Sequence, residues 1–134
     1  MLQAYTTAQA VTGTANVAFT KKVVQTSYAC SLSTDGTTIS LALPGIYRVD
    51  FNGTATPSGT AGGDVAFSLL ANGNAVEYAA GNDTAPAGGE GNVTFSTFVK
   101  VMAADPMSIA RLSVEYEGAE GTIDLANIMI TRMR

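Results

Sequence analysis

The chain has no histidine, no tryptophan and a single cysteine. Without histidine there is no imidazole to serve as a general base near neutral pH or as a metal ligand. Ser–His–Asp and Cys–His nucleophile arrangements are excluded for the same reason. A lone thiol, Cys30, can neither close an intrachain disulfide nor build a zinc cluster, and it suits a reducing compartment. Charge is also sparse: 13% of residues, with 7 Lys and Arg against 11 Asp and Glu, net −4. The adjacent pair Lys21-Lys22 is not a patch. Phosphate binding needs clustered cations, so nucleic acid is not an expected partner. No apolar run approaches the ~20 residues that cross a bilayer, so no membrane partner is expected. Met1-Leu2-Gln3-Ala4-Tyr5-Thr6-Thr7 has neither a basic start nor an apolar run, so no signal peptide is expected.

What is present is β-forming. The 134 residues fit one domain, 1–134, and 46% hydrophobic content with little charge indicates a globular chain. Thr, Val, Gly and Ala dominate, and the local period is two. Pro44-Gly45 is a turn signal before a strand from Ile46 to Asn52, with Tyr47, Val49 and Phe51 on one face and Arg48 and Asp50 on the other. Asp64 to Ala71 alternates likewise on Val65, Phe67 and Leu69. It runs into Asn72-Gly73-Asn74, a hairpin signal because Asn and Gly tolerate positive φ. Ala75 to Ala79 is the expected return strand, with Val76 and Tyr78 on one face.

Two stretches rich in small residues, Thr54 to Asp64 and Gly81 to Gly91, are expected to be loops. Between the second and a break at Ala103-Ala104-Asp105-Pro106 lies a long strand, Asn92 to Met102. Ser108 to Glu117 and Thr122 to Thr131 follow as strands, joined by a turn at Glu117 to Gly121. The first 43 residues hold shorter candidates: Gln3 to Thr6, Ala10 to Thr12, Ala15 to Phe19, Val23 to Thr26, Cys30 to Ser33 and Thr38 to Leu43. Asp35-Gly36 is a tight turn between the last two. Roughly eight to ten strands result, which implies an all-β fold, a two-sheet antiparallel sandwich or jelly roll. The last strand is apolar on both faces: Ile123, Leu125 and Met129 on one, Ala126, Ile128 and Ile130 on the other. A strand apolar on both faces is covered on both sides. With Phe98 on the Asn92–Met102 strand, the residues Ile123, Leu125, Ile128, Met129 and Ile130 are therefore the expected oligomer interface.

The string Ile39-Ser40-Leu41-Ala42-Leu43-Pro44-Gly45-Ile46-Tyr47-Arg48-Val49-Asp50-Phe51 resembles the Pro-Gly-x-Tyr-x-x-x-Phe strand of the trimeric jelly rolls related to tumour necrosis factor and to complement globular heads. Phe67-Ser68-Leu69-Leu70-Ala71-Asn72-Gly73 is similar to that superfamily's leucine and Asn-Gly hairpin segment. The segment from Gly121 to Met133 resembles the closing strand of its bacterial and phage members. The resemblance covers Thr38 to the C-terminus well and the first third poorly. It implies a homotrimer whose inner sheet, carrying the N- and C-terminal strands, faces the three-fold axis. A short acidic jelly roll of this kind is similar to phage or prophage virion proteins. That likeness implies a structural role as a capsid decoration, cement or head-fibre protein, with the major capsid protein as partner. Such a protein is made in the host cytoplasm and ends on the capsid surface of the virion. The alternative it leaves open is a trimeric recognition head for a host-surface glycan or protein.

The residues advertise no chemistry of their own. Asn52-Gly53-Thr54, Asn82-Asp83-Thr84 and Asn92-Val93-Thr94 match the glycan-acceptor pattern but are expected to be turn asparagines beside β-favouring threonines. Glu115, Glu117, Glu120 and Asp124 gather around one turn without the spacing of a calcium loop. Cys30 sits in an apolar context and is expected to be a buried, inert thiol. No catalytic residue, metal site or cofactor is expected, and the chain is not expected to be an enzyme.

Overall fold

A computed structural model describes residues 1–26, 29–102 and 110–133. Eleven strands occur among them, and no helix. They are β1 (Leu2–Val11), β2 (Ala15–Asn16), β3 (Lys21–Gln25), β4 (Cys30–Leu32), β5 (Ile39–Leu41), β6 (Gly45–Pro57), β7 (Gly63–Ala71), β8 (Asn74–Ala85), β9 (Gly91–Val101), β10 (Ala110–Tyr116) and β11 (Gly121–Arg132). One sheet has the order β3-β1-β11-β6-β9. The other has the order β4-β5-β10-β7-β8, with the two-residue β2 on β10. All recorded pairings are antiparallel. The chain crosses between sheets at most connections, which separates strands adjacent in sequence and gives the jelly-roll path. The expected break at 103–106 and the first two residues of the strand expected from Ser108 lie outside the described residues.

Alternation decides which side chains meet between the sheets. Tyr47, Val49 and Phe51 of β6, Val65, Phe67 and Leu69 of β7, and Leu112, Val114 and Tyr116 of β10 all turn inward and are buried. Four rings form a chain across the core: Phe95 stacks on Phe51 at 5.0 Å, Phe51 lies 5.1 Å from Phe67, and Phe67 meets Tyr116 edge-on at 5.3 Å. Such tilted and offset pairs contribute about 0.5–1.5 kcal/mol each beyond area burial. Gly53 makes room for them, since a Cβ there would lie 2.8 Å from the Phe51 ring and 2.9 Å from Phe67. The buried phenols find acceptors: Tyr47 Oη donates to the Leu43 carbonyl at 2.5 Å and Tyr116 Oη to the Ala119 carbonyl at 2.7 Å.

The hairpin at Asn72-Gly73 forms as expected, with φ of 53° and 83° at the two residues, the left-handed pair that a two-residue β-turn requires. Each expected loop is strand at both ends and a loop in the middle, over 58–62 and 86–90. β6 runs on to Pro57 because Thr54 and Ala55 continue the ladder with Asn92 and Gly91 of β9. β8 runs on to Ala85 because Gly81, Asn82, Asp83 and Thr84 pair one by one with Phe67, Ala66, Val65 and Asp64. The three Asn-x-Thr asparagines consequently sit within β6, β8 and β9 rather than in turns. Gln3 to Thr6 and the first two residues of the expected Ala10 to Thr12 strand belong to one strand, β1, which ends at Val11 and is interrupted at Ala8, where φ is 59°.

Candidate assembly face

β11 forms the middle of the five-stranded sheet, between β1 and β6. Its two-faced apolar pattern has a local cause. The ladder with β6 steps from Ile123↔Ala55 to Leu125↔Thr54, so Asp124 is an extra residue. An extra residue reverses the phase of alternation beyond it. Ile123, Ala126, Ile128 and Ile130 therefore all face the core of the same chain, each fully buried. This corrects the expected interface: Ile123, Ile128 and Ile130 point into the sandwich and present nothing to a partner. Leu125 and Met129 do point outward, as does Phe98, which is 62% exposed.

Those three belong to a wider outer face. Register places Thr131, Arg48 and Phe98 in one row across β11, β6 and β9, and Gln3, Met129, Asp50 and Ser96 in the next. Ile46 is exposed at the end of β6. Beside it the Met133 amide donates to the Ile46 carbonyl at 2.6 Å, and Met102 follows the last residue of β9. Met1 precedes β1, whose Leu2 pairs with Ile130. Of the eight large apolar side chains exposed among the described residues, seven lie on or immediately beyond strands of this sheet: Met1, Val23, Ile46, Phe98, Met102, Leu125 and Met133. Methionine adapts its shape to a neighbour, so a Met-rich edge suits a contact surface.

The polar part of this face is tied down within the chain. Asp50 accepts Ser96 Oγ at 2.6 Å and pairs with Arg48 Nε at 3.2 Å. That ion pair is half exposed, so it contributes little to stability. Gln3 Nε2 donates to Asn127 Oδ1 at 3.3 Å, and Thr56 Oγ1 donates to Asp124 Oδ2 at 2.5 Å, anchoring the bulge. The guanidinium of Arg132 donates to the Pro44 carbonyl.

Among the described residues no group of three or more carboxylates and thiols could hold a metal ion. The acidic cluster expected around the β10–β11 turn is divided, since Asp124 lies on β11 and bonds Thr56 of β6. Cys30 is buried, and burial pushes its thiol up, away from the reactive thiolate. Asp35 accepts hydrogen bonds from Ser33 Oγ, Thr37 Oγ1 and the Thr37 amide, which hold its carboxyl below the ordinary value at the β4–β5 turn. That is turn stabilisation. No helix among the described residues is long and apolar enough to cross a membrane.

No protein-family profile and no curated protein sequence matches the chain. Solved structures do. The crystal structure of murine APRIL at pH 8.5 superposes with a TM-score of 0.61 at 7% identity, covering 95% of this chain and 96% of that one. Rabbit GITRL superposes with a TM-score of 0.49 at 12% identity, over 78% and 77% of the two chains. At 7% identity the APRIL likeness concerns the course of the backbone alone. Together with the strand order it shows that the chain folds as a two-sheet antiparallel jelly roll of the tumour-necrosis-factor type.

Proposed function

We propose that the chain is a non-enzymatic structural protein that assembles as a homotrimer through the outer face of its five-stranded sheet. In this reading Phe98, Leu125 and Met129, together with Ile46 and the flanking methionines, are covered by neighbouring copies. The observation that carries it is that seven of the eight large apolar side chains exposed among the described residues lie on or immediately beyond strands of that one sheet. Exposed apolar patches of this kind mark association surfaces. Three-fold closure is what the family resemblance implies for a sheet built from the terminal strands.

The trimer would act on a virion surface as a capsid decoration, cement or head-fibre protein, with the major capsid protein as partner. The acidic, lightly charged composition and the spare strand-to-strand connections suit a compact scaffold that functions by contact. Three linked copies bind a symmetric lattice with an avidity no single weak contact reaches. Two measurements test this. Light scattering is expected to give a mass of three times 13.7 kDa, and Phe98→Asp or Ile46→Asp is expected to reduce it to one protomer with the fold intact. Expressed with its own phage genes, the protein is expected to sediment with filled heads. A monomeric mass, or sedimentation with tails alone, overturns the corresponding half of the proposal.

A further inference from the structure

Charge is segregated between the sheets. Strands of the five-stranded sheet carry Lys21, Lys22, Arg48, Lys100 and Arg132 against Asp50 and Asp124. Strands of the other sheet carry Asp64, Glu77, Asp83 and Glu115 against Arg111 alone, with Glu117 just beyond β10. The acidic sheet is also the one with a hollowed outer surface. Two depressions of about 440 and 580 Å³ abut there, sharing Ala66, Asn82 and Glu117. Ala66, Ser68, Ala80 and Gly81 line the first and are too small to fill it. Asp64, Thr84 and Asn82 stand along the second.

The carboxylates there differ in what they already hold. Asp83 is spent on the Thr84 and Asn92 amides at 2.9 and 3.0 Å. Among the described residues, Asp64 accepts only a long bond from Thr84 Oγ1 at 3.4 Å. Among the described residues, Glu117 has neither a cation nor a donor facing its carboxylate.

Tyr78 lies outside the lining of the two depressions, on the same strand and two residues before Ala80, which lines the first. The β7–β8 ladder jumps from Ser68↔Ala80 to Leu70↔Ala75, leaving Val76 to Ala79 opposite Leu69 alone. Ala79 turns fully inward, while Tyr78 is 88% exposed at φ 62°. A bulky side chain in the left-handed region is strained, and no described residue covers the ring in return. Bulges re-aim side chains, and strain of this sort concentrates where a surface meets a ligand.

We propose that this groove docks an extended, lysine- or arginine-bearing segment of a partner protein, with Tyr78 as the aromatic anchor and Glu117 and Asp64 as acceptors. The occupant follows from charge complementarity: the described residues that line the groove include Asp64, Asp83 and Glu117 and no lysine or arginine. The small floor lets a backbone approach closely. The Tyr78 ring can pack a cationic side chain's stem or the face of a guanidinium. The inference extends the assembly reading, which turns this sheet outward, by stating what the outward sheet meets.

The test is a titration of the isotope-labelled protein with hexa-arginine, followed by amide NMR shifts, with hexaglutamate and maltohexaose in parallel. Shifts are expected at Ala66, Ser68, Ala80 to Thr84 and Glu117, weakening with salt. Glu117→Gln and Tyr78→Ala are each expected to weaken binding about tenfold, and Tyr78→Phe to leave it within about twofold. Three results overturn the proposal: no shift, shifts spread over every acidic loop and indifferent to Tyr78, or groove shifts with maltohexaose and none with hexa-arginine. Light scattering on the same samples reports the oligomeric state separately, so loss of the trimer and loss of peptide binding are distinct outcomes.

Discussion

Replacing Ile128 by alanine separates core from contact surface. Ile128 is fully buried and paired between Ala4 of β1 and Phe51 of β6, in the middle of the five-stranded sheet. Truncating a buried isoleucine costs about 2–5 kcal/mol, because apolar area is lost and the cavity only partly collapses. In a domain of this size each kcal/mol lowers the melting temperature by about 4 °C, so a drop of about 8–20 °C is expected. Leu125, three residues earlier, is 37% exposed on the opposite face, so Leu125→Ala is expected to cost under about 1 kcal/mol of protomer stability. The assay is thermal unfolding over a concentration series, since association makes the midpoint concentration-dependent, with light scattering on the same samples. Ile128→Ala is expected to lower the midpoint at every concentration and to leave the mass of the folded fraction unchanged. Leu125→Ala is expected to leave the low-concentration midpoint within a few degrees and to weaken association. If Ile128→Ala instead melts with the wild type but dissociates, Ile128 faces a partner, and the phase reversal at Asp124 is refuted.

Three further outcomes follow from other parts of the molecule. Above neutral pH, stability is expected to be flat until the ordinary Cys30 value of 9.0, then to fall through the tyrosine value of 10.0. The sign follows from burial, which raises the folded-state values of Cys30, Tyr47 and Tyr116, so the unfolded chain releases protons first; each group adds a slope of at most about 1.4 kcal/mol per pH unit. A urea series from neutral to alkaline pH reads it, and stability constant past the tyrosine value would contradict the buried phenols. Gly53→Ala is expected to cost about 1–3 kcal/mol in the same assay, because the new methyl meets the Phe51 and Phe67 rings at under 3 Å. Tyr78→Gly is expected to stabilise the protomer by about 1 kcal/mol by relieving the left-handed tyrosine; a loss of stability would show that the ring supports the fold.

The fold class was legible because strand periodicity is a local signal. Tyr47, Val49 and Phe51, or Leu112, Val114 and Tyr116, declare an inward face within a few residues. The extents of β6 and β8 were not legible. Gly81, Asn82, Asp83 and Thr84 have turn-like chemistry and become strand only because β7 lies beside them, a tertiary effect outside the local window. Alternation alone put Ile123, Leu125 and Met129 on one face of the last strand and Ala126, Ile128 and Ile130 on the other, and of the residues expected at a contact only Phe98, Leu125 and Met129 lie on the outer side of the sheet. Ile123, Ile128 and Ile130 were misassigned because one inserted residue, Asp124, is invisible to any counting rule that assumes an unbroken ladder. The Tyr78 bulge left no mark in the sequence beyond an aromatic residue in an otherwise bland return strand.

The pairing of β1 with β11 also has a topological consequence. Leu2 faces Ile130 and the Met133 amide reaches Ile46, so the first and last strands meet end to start at one rim of the sandwich. A short linker could therefore close the chain on itself. A new start opened at Asn72-Gly73, the two-residue tip between β7 and β8, would sever no recorded strand pair. Any peptide attached ahead of β1 or after β11 would emerge from that same rim, while one inserted at Asn72-Gly73 would emerge from a different sheet. The molecule thus offers two separately addressable attachment points, and peptides attached beyond β1 and beyond β11 would crowd each other.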